Sequence, residues 1–304
     1  MMQARGGLIG SALTLTLTVA CGMKQPSATL RLMSPPPISR PSPAIAQAKV
    51  DTSTRAVIAA ATKYVDEYQT RFKFLIAEEA YSQATFDHER RETGRRSIKG
   101  ELFLTFIPAD GQWVAVHDFF EVDGTPVPDR EDLRALLQKG ETLSVVRKVV
   151  SRNAQYNLGN VERNFNEPTL ALLILEARRV NRFSFDREDV VRDAGRATVR
   201  LSFRERERPT LVQAADGRPV YARGEFTIDA ATGRVERTVI EFTDDNILAR
   251  LTTTYALDEK MEMWVPVTFE ERYQRTGRRE ETEVTLCEAT YTNYRRFEVT
   301  ARIK

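Results

Sequence analysis

The sequence predicts an α+β fold, one large curved antiparallel sheet with helices packed on one face. Three observations predict it. A stretch of helical period opens the body of the chain at residues 52–70. A period-two pattern punctuated by turn residues follows it and returns after residue 180, where the chain reads as a long meander of about seven strands. Between the two strand regions, residues 128–179 carry apolar stripes at helical spacing.

The chain begins with an apolar run, Leu8–Ala20, preceded by Arg5 and followed by Cys21. The run has the length of a signal-peptide core and falls short of the roughly 20 apolar residues that span a bilayer. Thr18-Val19-Ala20-Cys21 resembles the bacterial lipobox, although Thr18 stands where such boxes usually carry Leu. The resemblance implies cleavage after residue 20 and lipidation of Cys21. Ordinary secretion with an unmodified Cys21 and a retained anchor are the alternatives. Gly22 follows the cysteine; Asp there is an inner-membrane retention signal in many Gram-negative bacteria, so Gly22 implies an outer-membrane destination. Residues 21–50 then read as a tether rich in Pro and Ser, with no Asp or Glu. Such a segment buries too little apolar surface to offset its ordering entropy.

Residues 51–304 read as a single domain. Five of the 45 Lys and Arg lie in the first fifty residues, leaving 40 against 43 acids in the body. That balance excludes the basic surplus of a nucleic-acid binder. The two cysteines are Cys21 and Cys287, which is no disulfide framework. Cys287 shares its strand face with Ala289 and Tyr291 and reads as a small buried residue.

The opening helix, residues 52–70, turns Val57, Ala61, Tyr64, Val65 and Tyr68 inward. A strand is expected over 72–87. Turns are expected at Thr93-Gly94, Asp110-Gly111, Asp123-Gly124, Asp216-Gly217, Thr232-Gly233 and Thr276-Gly277, because Gly supplies the positive φ that tight hairpins demand. The insert predicts three helices. The first starts at Pro128-Asp129, ends at Gly140 and buries Leu133, Leu136 and Leu137. The second runs from Thr142 with Val145, Val146, Val149 and Val150. The third is capped by Asn166, with Leu170, Leu173, Ile174 and Ala177 as its stripe. The clearest strand is "ATVRLSFRE", with Ala197, Val199, Leu201 and Phe203 on one face. "VYARGEFTID" repeats the pattern with Val220, Ala222, Gly224, Phe226 and Ile228.

Motifs of catalysis are scarce. There is no HExxH, paired-cysteine, G-x-S-x-G or phosphate-loop pattern, so no cofactor, metal site or catalytic residue is assigned. His117 and Asp118 adjoin Glu121, but neighbours on a strand point to opposite faces, which disfavours a shared metal. His88-Glu89 reads as an exposed turn. The same alternation separates Glu78 from Glu79 and Glu270 from Glu271; convergence of Glu78 with Glu271 across strands is left open.

The order of helix, strand group, helical insert and long meander resembles the half-barrel of the bacterial lipoprotein-sorting carrier and receptor. "GEFTIDAATGRVERTVIEF" (224–242) resembles their hairpin. "WVPVTFEERY" (264–273), "ATYTNYRRFEV" (289–299), "FEVDGTPVPDREDLRALL" (120–137) and "NEPTLALLILEARRVNRFSF" (166–185) resemble segments of a large uncharacterised family of bacterial envelope proteins. In the sorting proteins a concave apolar face receives acyl chains. Carried over, the resemblance makes Leu201, Phe203, Phe226 and Ile228 candidate walls of a ligand cavity; an ordinary hydrophobic core is the alternative. The implied function is a non-enzymatic module of the cell envelope, on the periplasmic side. It would attach to the membrane through its lipid anchor and bind or transport a lipid, acyl chain or lipoprotein. A scaffold with a filled core and an enzyme without recognisable motifs are the other readings.

Overall fold

Ser53 opens the first helix. Its hydroxyl accepts a hydrogen bond from the Ala56 N–H (3.3 Å) and caps α1, Thr54–Arg71. The computed structural model describes residues 50–72, 74–107, 111–130, 133–138, 149, 153–159, 161, 167–193, 195–214, 216–276 and 282–297. The signal peptide, the tether to residue 49, the turns at Asp110 and Gly277, the second insert helix except Val149, and the Asn166 cap lie outside the described residues.

Eleven strands form one open antiparallel sheet. In chain order the strands are β1 (Leu75–Phe86), β2 (Glu92–Ile107), β3 (Gln112–Val122), β4 (Thr125–Pro126), β5 (Phe183–Asp193), β6 (Arg196–Glu205), β7 (Val212–Gln213), β8 (Pro219–Val220), β9 (Ala222–Asp229), β10 (Val235–Asp244), β11 (Ile247–Asp258), β12 (Met263–Thr276) and β13 (Thr282–Arg296). Their spatial order is β4-β3-β2-β1-β13-β12-β11-β10-β9-β6-β5, while β7 and β8 make a separate two-stranded ribbon. The first strand therefore pairs with the last, Glu79 opposite Tyr291.

The inward face follows the alternation read from the sequence. Ala197, Val199, Leu201 and Phe203 are buried, as are Val220, Ala222, Phe226 and Ile228. Helix α1 lies on this face through Val57, Ala61, Val65 and Tyr68, all within the main core cluster. At the β9–β10 hairpin, Gly233 has φ +72°, and a Cβ there would lie 2.1 Å from the Ala60 carbonyl oxygen. The helix backbone thus rests directly on the hairpin.

Three local expectations change. Thr93-Gly94 is no turn; Gly94 sits inside β2 opposite Thr85. The reversal instead falls at residues 87–91, where the Asp87 carboxylate accepts from the Glu89 and Arg91 N–H groups (both 2.9 Å). That Asx turn outcompetes the Gly signal. The first insert helix does not begin at Pro128-Asp129: residues 128–130 are not helical, and among the described residues α2 spans Leu133–Gln138. It packs behind the sheet, where Leu133 and Val149 join Ile76, Phe103 and Val116 in a second cluster. The third insert helix is a 3-10 turn, Leu170–Leu175, with all six residues buried. A segment apolar all round has no wet face to set an amphipathic register, so it is engulfed rather than laid on the surface.

Candidate functional site

The concave face has two halves of different chemistry. The dry half is built on β5, β6, β9 and β10. Leu201 stands opposite Phe226, Val199 opposite Ile228 and Phe203 opposite Gly224. The Phe203 and Phe226 rings pack at 4.9 Å, and Phe183 and Phe185 close on Phe203 at 6.0 and 6.5 Å. Leu201, Phe226 and Ile228 are 0% exposed and Phe203 2%. The four residues singled out from the sequence thus come together, packed against the chain's own side chains.

The apolar turn Leu170–Leu175 belongs to the same core cluster, together with α1. Just before it, one carbonyl is tied to the sheet. The Pro168 oxygen accepts from Thr253 Oγ1 (2.8 Å) and from the Tyr255 hydroxyl (2.9 Å), both on β11. Just beyond the turn, buried Glu176 accepts from Gln69 of α1 (2.6 Å) and from Arg178 (2.8 Å), and pairs with Arg179. Both arginines also donate to the Gly111 carbonyl (2.6 and 2.9 Å), which ties the rim of the face together.

The other half, on β1, β3, β12 and β13, is polar, and sequence reasoning missed it. Glu79 is enclosed, its side chain fully inaccessible, and both its oxygens meet His117 Nδ1 (2.8 and 2.9 Å). The two residues are separated by β2, where Gly100 stands opposite Glu79 and leaves room to reach across. Glu271 accepts from the Tyr81 hydroxyl (2.8 Å) and the Tyr273 hydroxyl (2.5 Å). Tyr81 reaches it past small residues of β13, Ala289 and Cys287. The Tyr291 hydroxyl, between the two acids, is buried and makes no well-formed hydrogen bond. Burial, then the charges of Glu79, Tyr294 and Glu271, holds its pKa well above the ordinary phenol value.

Part of the insert covers this polar half. Asn153 donates to the His117 carbonyl on β3. The Tyr156 carbonyl accepts from Gln83 (3.1 Å) and Arg96 (2.8 Å), and Leu158 N–H donates to Gln83 Oε1 (2.9 Å). Glu167, at the end of the cover, has its pKa pushed up to about 8 by burial, against the pull of His117.

The expected separations hold. His117 faces inward, whereas Asp118 points behind the sheet to Arg130 (2.7 Å) and the Leu133 N–H (3.1 Å). Glu121 pairs with Lys99 (2.8 Å). Glu78 does not meet Glu271, because it faces out and accepts from Asn293 (2.7 Å). His88 lies exposed beside Glu89, and Cys287 is buried. Among the described residues no group of three or more His, Cys, Asp or Glu side chains is placed to hold a metal.

No family model matches the sequence, and no curated protein matches it. Two solved structures are similar to the chain. One is a DUF1329 family protein from Desulfovibrio piger, 12% identical, covering 81% of this chain and 93% of its own, with a TM-score of 0.37. The other, from Vibrio parahaemolyticus, is a domain assigned by its name to outer membrane lipoprotein sorting; it is 12% identical, covers 81% of this chain and 95% of its own, and has a TM-score of 0.33.

Proposed function

We propose that this chain is a non-enzymatic binding module of the bacterial cell envelope, held at the outer membrane by a lipidated Cys21. The dry half of its concave sheet, with Leu201, Phe203, Phe226 and Ile228 as wall, takes an acyl chain of a lipid or lipoprotein in place of its own Leu170–Leu175 turn. One observation carries the reading: beside helix α1, the face is covered by a short, wholly apolar 3-10 segment, Leu170–Leu175. Such segments have poor hydrogen-bond geometry and little intrinsic stability.

The exchange is energetically balanced. Five large apolar side chains in the turn, at about 2 kcal/mol each, contribute about 10 kcal/mol on burial. An acyl chain of about 16 carbons, at about 0.8 kcal/mol per methylene, contributes about 12 kcal/mol before ordering costs. A ligand of that kind can replace the turn without a large net change.

A second reading has its own support. The four wall residues are at most 2% exposed, which suits a scaffold whose half-barrel is filled for good. Native mass spectrometry separates the two readings. The full-length protein is expressed in a bacterial host, purified gently and measured intact, then after denaturation and lipid extraction. The expected result is residues 21–304 plus acyl chains, with additional lipid released on denaturation. An anchored mass with no releasable lipid sinks the ligand and leaves the scaffold. A bare mature mass removes the anchor.

A further inference from the structure

The outer face of the sheet, away from the concave site, carries a groove of about 480 Å³ where β11, β12, β13 and β1 run side by side. Ala84, Phe86 and Leu286 contribute its apolar surface, and Leu286 is 38% exposed. Its charges are Arg95, paired with Glu92 (2.9 Å), and two rows of like charges. Arg250 on β11 stands directly opposite Arg272 on β12. Two residues along the same strand, Glu270 stands directly opposite Glu288 on β13.

Like charges directly opposite destabilise a sheet, and this pattern does it twice in adjacent rows. Neutralisation is incomplete. Arg250 lines the groove with one of its terminal nitrogens donated to Glu241 (2.6 Å). Among the described residues Arg272 has only a 3.4 Å contact with the Gln274 amide oxygen, and neither Glu270 nor Glu288 forms an ion pair. Although Glu270 and Arg272 share a strand face, they do not pair with each other. An arginine pair and a glutamate pair therefore face the same groove about 7 Å apart, two residues along one strand.

From this geometry we infer that the groove binds a small zwitterion, its anionic group clamped by Arg250 and Arg272 and its ammonium held by Glu270 and Glu288. Guanidinium groups suit phosphate and carboxylate oxygens because their forked donors match them. Exposed single charges contribute little, so selectivity comes from the two ends together. The glutamates repel a simple anion, and the arginines repel a simple cation. The apolar strip receives the body between. Two sources share this chemistry, a phosphoethanolamine lipid headgroup and the free termini of a short peptide.

The test is titration of the full-length protein with four probes, followed by calorimetry. The probes are glycerophosphoethanolamine, glycylglycine, inorganic phosphate and ethylammonium. At least one zwitterion is expected to bind about tenfold more tightly than phosphate or ethylammonium, and the one that binds identifies the source. Arg272→Ala and Glu270→Gln should each weaken that binding about fivefold or more, while leaving the thermal midpoint unlowered because each relieves a like-charge contact. Phosphate binding as tightly as both zwitterions, no binding by any probe, or unchanged binding in both variants would each overturn the site.

Discussion

A buried carboxylate must have its charge held by neighbours, and two of the acids buried in this sheet are held differently. Glu79 shares an imidazole, and Glu271 sits between two phenols. Glu167 on the cover has the opposite tendency, with a pKa pushed up to about 8. A raised native pKa makes the closed cover favourable below the ordinary carboxylate range, and that contribution fades as the pH rises through 8. Docking of the cover over Glu79 and His117 should therefore loosen between about pH 4.5 and 8. Amide exchange at Leu158, corrected for its intrinsic pH dependence, should report this, and Glu167→Gln should flatten the profile. A wild-type profile already flat would refute it. Adjacent carboxylates in the sequence do not mark this cluster. A signal was nevertheless present, since Glu79, Tyr81 and Gln83 fall in phase with Ala77 on the dry side of β1, and Glu271 and Tyr273 fall in phase with Phe269 on β12. What the sequence could not supply was their convergence, because Tyr81 and Glu271 lie 190 residues apart.

Elements were legible where one periodicity ruled. Helix α1 and strands β6 and β9 emerge with the faces expected of them, because each buries one side only. The Leu170–Leu175 segment reads as an amphipathic helix yet folds as a 3-10 turn, because a run apolar on every side carries no phase. Glycines mark a similar divide between strand and turn. In β9, a Cβ on Gly224 would lie 1.9 Å from the Val239 carbonyl oxygen and 2.9 Å from the Phe203 ring. In the β3–β4 turn, Gly124 has φ +78° and open space around it. Gly224→Ala should therefore cost about 3 kcal/mol by forcing β9 from β10, against about 1 kcal/mol of backbone strain for Gly124→Ala. Urea midpoints would rank them, and equal losses would contradict the close approach at Gly224.

At the scale of the whole molecule, the meander could be read but its closure could not. Turn residues specify which neighbours form hairpins. Nothing local specifies that β13 slots between β12 and β1, with Thr290 paired to Thr268 on one side and Ala80 on the other. That strand is the one join between the N-terminal strand group and the rest of the sheet. Ending the chain at residue 281 should therefore abolish cooperative thermal unfolding by circular dichroism, leaving two strand groups with new open edges. Retention of one sharp transition would show that the halves hold together without it.

The same join sets the timing of assembly. Whether the chain emerges from a ribosome or threads through a translocation channel, its first strand appears long before the partner that completes its pairing. The sheet cannot lock until the C-terminal strand has come through. A polypeptide built this way forms its sequential hairpins early and completes its sheet only after its last strand has emerged.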